Sequence, residues 1–114
     1  MSVKIYHNPR CSKSQQTLEL IRAQHIEPEI IEYLNEPPSF DDLANIMQAL
    51  ELTDPRHMMR VNEETYKELD LQEKDNDTLL EAMSKHPILI ERPIVLTNKG
   101  ARICRPPEIV KEVL

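Results

Sequence analysis

The feature that most constrains the fold is a change of hydrophobic period in the first third of the chain. Residues 3–6 alternate like a strand, and from Ser12 the apolar residues recur at helical spacing. This helix must end before Pro28, and the β-branched stretch 29–33 is typical of a second strand. A strand, a helix and a strand within about 33 residues predict a βαβ unit, whose two strands are parallel.

Helical patterns dominate the middle of the chain, after a pair of prolines, Pro37 and Pro38, that follows the βαβ unit. Ser39 and Asp42 have the spacing of a capping box, which predicts a helix that runs through Leu50. Further short helices are expected around residues 57–60, 64–69 and 78–85. We interpret this helical segment, about residues 39–85, as an insertion.

The last part of the chain predicts a β-hairpin and a closing helix. Residues 93–97 form an apolar strand, 98–100 form a turn, and 102–104 form the return strand. Two prolines then introduce a helix over 108–114. The order βαβ, helices, ββα predicts one α/β domain over 1–114. Its expected architecture is a thioredoxin-like fold with a central mixed β-sheet and a helical insertion.

The charges are distributed unevenly along the chain. The net charge of −6 argues against nucleic acid or an anionic membrane as the main partner. Yet residues 1–18 and 92–107 contain seven of the 14 Lys and Arg and none of the 20 Asp and Glu. An even distribution would place about six acidic residues there. If the two segments meet, they form a cationic site. The alternative is that both are strand and turn, where acidic residues are depleted anyway.

Cys11 lies at the predicted start of the first helix. Free backbone N–H groups and the positive end of the helix dipole lower the pKa of a thiol there, and they can also hold an oxyanion. His7, Arg10 and Lys13 lie close by, and Glu19 is the first acidic residue. The position therefore suits a thiolate that acts on an anionic substrate, and the added charge could also serve an anionic thiol partner. The alternative is a small buried residue that packs the turn.

Several other chemistries do not fit the sequence. The segment "CSKS" lacks the second cysteine of a redox dithiol, and Thr17 stands where a low-molecular-weight phosphatase loop has arginine. Gly100 is the only glycine, which excludes a glycine-rich phosphate loop. The scattered histidines predict no metal site, and no bound cofactor is expected. These histidines are His25, His57 and His86.

The cysteine content also indicates a compartment. Two cysteines, Cys11 and Cys104, without a secretory signal before them, predict a reducing cytoplasm. The short apolar runs predict no membrane span, and nothing indicates an obligate dimer, so a monomer is expected. Cys104 alternates with its neighbours on a predicted strand, which favours a structural role. The alternative is an internal thiol that resolves an adduct on Cys11.

Three motifs in order resemble the glutaredoxin-coupled arsenate reductase family of the ArsC type. They are "YHNPRCSKS" near the start, "HPILIERPIV" at 86–95 and "RICRPPE" at 102–108. The resemblance runs along essentially the whole chain. It implies a thioredoxin-like fold with a helical insertion, in agreement with the element order.

The resemblance also implies roles for individual residues. Cys11 would be catalytic, and His7 and Ser14 would stabilise its thiolate. The oxyanion-binding residues would be Arg60, Arg92 and Arg105. The Arg92-Pro93 peptide bond would be cis.

The implied reaction is attack of the Cys11 thiolate on arsenate or a similar oxyanion. Glutathione and then glutaredoxin would resolve the adduct and release arsenite. Two other functions remain open: a monothiol glutathione-dependent oxidoreductase, and an Spx-like regulator that binds RNA polymerase. The arginines favour the first function, because disulfide exchange does not require three of them. Ser14, in place of a second cysteine, weighs against the Spx-like regulator.

Overall fold

The computed structural model describes residues 2–114, which form two compact units. The first unit contains residues 2–36 and 92–114 and carries the β-sheet. The second unit, Pro37–Glu91, is helical and encloses the segment that we interpret as an insertion. A single domain over the whole chain therefore stays a prediction.

The first unit contains a four-stranded mixed sheet in the order β2-β1-β3-β4. The strands are β1 (Val3–His7), β2 (Glu29–Glu32), β3 (Ile94–Thr97) and β4 (Gly100–Ile103). β1 pairs in parallel with β2 and antiparallel with β3, which pairs antiparallel with β4. The predicted α/β class, with a thioredoxin-like mixed sheet, is confirmed.

The predicted bounds of the hairpin were wrong by two residues. The return strand begins at Gly100, which pairs with Thr97, and it ends at Ile103 rather than Cys104. The turn therefore contains only Asn98 and Lys99. Gly100 has φ of 128°, a left-handed value that glycine adopts without steric cost, and this allows the tight connection.

Helix α1 (Ser12–Ala23) packs on one face of this sheet, as the βαβ prediction required. Its apolar residues Leu18 and Ile21 are buried against Val3 and Ile5 of β1. The period of the pattern is about 3.6 residues on the helix and 2 on the strand, so each element presents one apolar face to the other. The same core cluster also contains Val95, Cys104, Val110 and Val113.

The C-terminal segment packs against α1 as a 3₁₀ helix, Pro107–Glu112, and the predicted α-helix over 108–114 was wrong. Short helical segments commonly adopt the tighter 3₁₀ form, and this one has i→i+3 hydrogen bonds such as Val113 N–H to the Val110 carbonyl at 3.1 Å. Its end is fixed by Thr97, whose hydroxyl donates to the Val113 carbonyl at 2.7 Å. That hydroxyl oxygen accepts the Lys99 N–H at 3.0 Å.

The second unit begins with the predicted capping box. Asp42 N–H donates to the Ser39 hydroxyl at 3.0 Å, and Ser39 N–H donates to the Asp42 carboxylate at 3.1 Å. The α-helices of this unit are α2 (Phe40–Ala49), α3 (Glu64–Glu68) and α4 (Asn76–Lys85). Its 3₁₀ helices are Pro55–Met58, Leu71–Glu73 and Pro87–Leu89. The helix expected around 57–60 is therefore one 3₁₀ turn that begins two residues earlier.

One arginine fixes the irregular part of the second unit. Nη2 of Arg56 donates to the carbonyl oxygens of Leu71, Gln72 and Lys74 at 2.9, 2.8 and 2.8 Å. Its Nε donates to the Tyr66 hydroxyl at 3.1 Å. The guanidinium thus links this irregular segment to Tyr66, and the Leu71 carbonyl also accepts the Lys74 N–H at 3.2 Å.

The helices are short relative to a bilayer. α1 has 12 residues, about 18 Å at the usual rise, whereas the hydrocarbon core is about 30 Å thick. None of the helices formed by residues 2–114 has both the length and the apolar character needed to cross a membrane.

Candidate active site

Cys11 occupies the N-cap of α1 with an extended backbone, φ −96° and ψ 121°. Its N–H donates to the Asn8 carbonyl at 3.0 Å, which closes a turn between β1 and the helix. Its carbonyl accepts the Gln15 N–H at 3.0 Å and begins the helical ladder. The thiol is only half-buried, so its sulfur is accessible to a reactant.

The pKa of the Cys11 thiol is lowered from its ordinary value. Burial is the largest single effect and raises the pKa, but it is outweighed by the lowering effects together, of which the hydrogen bonds from the backbone N–H groups of Ser14 and Lys13 are the strongest. The positive charge of Arg92 and a hydrogen bond from Arg105 lower the pKa further. Since the thiolate is the nucleophile, these groups increase the reactive fraction at neutral pH.

The hairpin of β3 and β4 brings two of the predicted arginines to this thiol. Arg92 precedes β3 and Arg105 follows β4, and antiparallel pairing places these two strand ends side by side. Nη1 of Arg105 lies 4.0 Å from the Cys11 sulfur and donates to the Arg92 carbonyl at 3.1 Å. The two segments without acidic residues therefore meet at Cys11. The oxyanion-binding role of the two arginines stays a prediction.

Both arginines also precede a cis proline. The Arg92-Pro93 bond is cis, as the family resemblance implied. The Arg105-Pro106 bond is cis as well, and sequence reasoning missed it. The only sequence signal for a cis peptide bond is a residue followed by proline. This signal does not distinguish Arg105-Pro106 from the other X-Pro bonds of the chain.

His7 and Ser14 contact each other beneath the cysteine turn. His7 ends β1 on the face that carries Val3 and Ile5, because side chains alternate along a strand. Its Nδ1 lies 2.6 Å from the Ser14 hydroxyl, which also accepts the Asn8 N–H at 3.1 Å. Both side chains are buried, so this pair fixes the end of β1 to the first turn of α1.

The protonation of His7 follows from its surroundings. Burial lowers the pKa of His7 and outweighs Glu32, which raises it, while Arg22 lowers it further. The imidazole is therefore neutral at neutral pH and can accept the Ser14 O–H at Nδ1. The hydroxyl of Ser14 faces His7 and Asn8, whereas its backbone N–H faces the thiolate. The expected thiolate-stabilising roles of both side chains stay predictions.

Arg60, the third predicted arginine, belongs to the second unit. Its backbone N–H donates to the Leu89 carbonyl at 2.8 Å, and its guanidinium pairs with Glu63 at 2.7 Å. Sequence reasoning missed this carboxylate partner, although the spacing of three residues is one at which helical side chains meet. A shared site with Arg92 and Arg105 stays a prediction.

Cys104 is fully buried in the core of the first unit. Burial raises the pKa of its thiol to about 12. The thiol is therefore protonated at neutral pH and shielded from reactants, which argues against the internal resolving role and favours a structural one.

The remaining histidines lie in or beside helices. His25 follows α1 with φ of 61°, His57 lies in the first 3₁₀ helix, and His86 ends α4. Across residues 2–114, no group of three or more His, Cys, Asp or Glu side chains could hold a metal ion.

Comparison with known proteins identifies the family. The model of the ArsC family matches residues 6–113. An arsenate reductase of Neisseria meningitidis serogroup A is 47% identical over 98% of this chain and 97% of its own length. An arsenate reductase of Escherichia coli K12 is 46% identical over 99% of this chain and 81% of its own length. A solved structure, described as an arsenate reductase from Vibrio cholerae, superposes with a TM-score of 0.96 at 52% identity, covering 100% of this chain and 98% of that one. The resemblance carried by the three motifs is confirmed, and the chain belongs to the ArsC family.

Proposed function

We propose that this protein reduces arsenate to arsenite, with Cys11 as the nucleophile and glutathione and glutaredoxin as the source of electrons. The observation that carries the proposal is the pair of arginines at a half-buried thiol of lowered pKa, with Arg105 Nη1 4.0 Å from the sulfur. The arsenate reductases to which the chain is similar support the choice of oxyanion.

Arg92 and Arg105 bind the arsenate in this proposal. A guanidinium group presents planar, paired N–H donors that match the oxygens of a tetrahedral anion. The backbone N–H groups at the start of α1 add further positive potential beside the sulfur. We propose Arg60 as the third ligand, by family resemblance. The same donors would stabilise the charge that develops on arsenate oxygens during attack.

The first chemical step forms a covalent adduct on Cys11. The thiolate attacks arsenic, a sulfur–arsenic bond forms and an arsenic–oxygen bond breaks. The leaving oxygen keeps one proton of dihydrogen arsenate and takes a second from solvent, which had received it when the thiol ionised, so it departs as water. Arsenic remains pentavalent at this stage, so two electrons are still required.

External thiols supply those electrons. "CSKS" contains no second cysteine, and Cys104 is buried, so an internal disulfide is not available for this step. Two thiols, from glutathione and glutaredoxin, become one disulfide while arsenic(V) becomes arsenic(III) and Cys11 is regenerated. In sum, one dihydrogen arsenate, two thiols and one proton give arsenous acid, one disulfide and one water. Both reductants are thiols of the reducing cytoplasm, and we propose that the protein acts there as a monomer.

A coupled assay tests the proposal. Purified protein with arsenate, glutathione and glutaredoxin should form arsenite. Cys11→Ser should reduce the rate to background, while Cys104→Ala should retain it. Absence of arsenite formation by the wild-type protein would overturn the proposal. Reduction of glutathione mixed disulfides by that inactive protein would favour the monothiol oxidoreductase instead.

A further inference from the structure

A cleft of about 370 Å³ opens within the first unit, beside the turn that carries Cys11. Residues 7–10 form one wall, and Glu32, Leu34 and Asn35 form the other. The walls follow the carboxyl ends of β1 and β2, which are parallel neighbours. Ligands of open α/β sheets bind at such ends, and small-molecule pockets commonly measure about 300–1,000 Å³.

The wall formed by residues 7–10 is held in place and is continuous with the thiol. Asn8 accepts the Cys11 N–H at its carbonyl and the Arg10 N–H at its side-chain oxygen, both at 3.0 Å. The Gln15 side chain donates to the Pro9 carbonyl. A ligand in the cleft therefore lies one fixed turn away from the nucleophile.

The two walls carry opposite charges. Arg10 is exposed on one wall and Glu32 is exposed on the other, where it pairs in register with His7. Neither side chain has an ion-pair partner within the described part of the chain. Leu34, 44% exposed, adds an apolar contact. A small inorganic anion would be repelled by Glu32, whereas a molecule with separate positive and negative groups matches both walls.

We propose that this cleft binds the reducing co-substrate as a zwitterionic peptide thiol of the glutathione class. A carboxylate of the peptide pairs with Arg10, and its ammonium group pairs with Glu32. An extended tripeptide reaches about 10 Å, enough to cover the cleft and direct its thiol toward Cys11. The inference rests on the proposed function for its choice of glutathione. It also gives Arg10 a role that the oxyanion-binding arginines do not share.

Binding is measured without turnover by titrating the full-length protein with S-methylglutathione, which cannot donate electrons, and following backbone amide shifts by NMR. We expect shifts at Arg10, Leu34 and Asn35. Arg10→Ala and Glu32→Gln should each weaken binding about tenfold, the equivalent of about 1.4 kcal/mol for a lost charge-assisted contact.

Two matched variants control for charge and for strand integrity. Lys111→Ala removes an exposed positive charge on the terminal 3₁₀ helix, outside the cleft. Glu29→Gln alters an exposed carboxylate on β2 whose side chain lies on the face opposite Glu32, because the two positions differ by an odd number of residues. Both should bind S-methylglutathione like the wild-type protein. Shifts confined to other residues, or equal affinity in Arg10→Ala, would overturn the inference.

Kinetics separate this inference from the proposed function. In the coupled assay Arg10→Ala should raise the KM for glutathione about tenfold and leave the KM for arsenate within about twofold. Arsenite formation with an unchanged glutathione KM overturns the inference alone. Binding of S-methylglutathione in the cleft by a protein that forms no arsenite supports the inference and overturns the proposed function.

Discussion

Nη1 of Arg105 lies 4.0 Å from the sulfur of Cys11, a contact between residues 94 positions apart in the chain. The same nitrogen donates to the Arg92 carbonyl at 3.1 Å, so the guanidinium is held by the backbone of one strand end while it faces the thiol. A positive group fixed in this way favours the thiolate over the thiol, and this has consequences that can be measured.

Removing this guanidinium should shift the pH dependence of thiol alkylation. The lowered pKa of Cys11 means that its thiolate persists to lower pH than that of an ordinary thiol. The rate with iodoacetamide should therefore fall only once the pH drops below that lowered pKa. In Arg105→Ala the whole profile should move to higher pH. Arg102→Ala, which loses a pair with Glu112 instead, serves as the control, and coincident profiles for wild type and Arg105→Ala would contradict the prediction.

Cys104 should behave as the opposite kind of thiol. Its pKa is raised to about 12 by burial, so it is protonated throughout the neutral range. At pH 8, iodoacetamide should modify Cys11 first and Cys104 only after denaturant unfolds the chain. Mass spectrometry of digested protein distinguishes the two sites. Equal labelling of both cysteines in the native protein would show that the core around Cys104 opens readily.

Ser14→Ala should destabilise the first unit. The substitution leaves the His7 ring nitrogen and the Asn8 N–H without the hydroxyl that now bonds both. A buried polar group that loses its partner costs about 1–3 kcal/mol. Urea denaturation should show a loss of this size, whereas Ser12→Ala, at an exposed position of the same turn, should stay within about 0.5 kcal/mol. Equal stability of the two variants would mean that water replaces the hydroxyl.

Arg56→Lys should loosen the second unit although the charge is kept. A lysine ammonium lacks the planar fork with which Arg56 reaches three carbonyl oxygens and Tyr66. We expect a loss of about 2 kcal/mol in chemical denaturation, with faster hydrogen exchange at the amides of residues 71–74. Lys67→Arg, an exposed exchange in the same unit, is the matched control. Wild-type exchange rates in Arg56→Lys would refute this role of the guanidinium.

Replacement of Glu51, which follows α2, by glycine should stabilise the protein. Leu52 N–H donates to the Met47 carbonyl and Glu51 N–H to the Gln48 carbonyl at the end of α2, a Schellman motif. Glu51 has φ of 60°, where a side chain costs about 1 kcal/mol or more. Glu51→Gly should raise the free energy of unfolding by about 0.5–1 kcal/mol, and Gln48→Gly, inside α2, should lower it by about 1 kcal/mol. A loss of stability in both variants would contradict the argument.

Local patterns in the sequence predicted the elements well because their causes are local. The period change at Ser12, the prolines and the Ser39 capping box depend on residues within one turn of each other. The terminal segment shows the limit. Pro107–Glu112 was expected to be an α-helix, yet it forms a 3₁₀ helix that packs on α1 and β4, contacts that a local pattern does not contain.

The sequence by itself determined that a cysteine stands at a helix start with basic neighbours, and that acidic residues avoid two distant segments. The tertiary structure decided which groups face the sulfur: the Arg105 guanidinium and the Ser14 backbone N–H contact it, while the Ser14 hydroxyl turns to His7. Partners far apart in the chain meet only when the sheet assembles and the core closes, and the energy of those contacts is not encoded in any short stretch of residues.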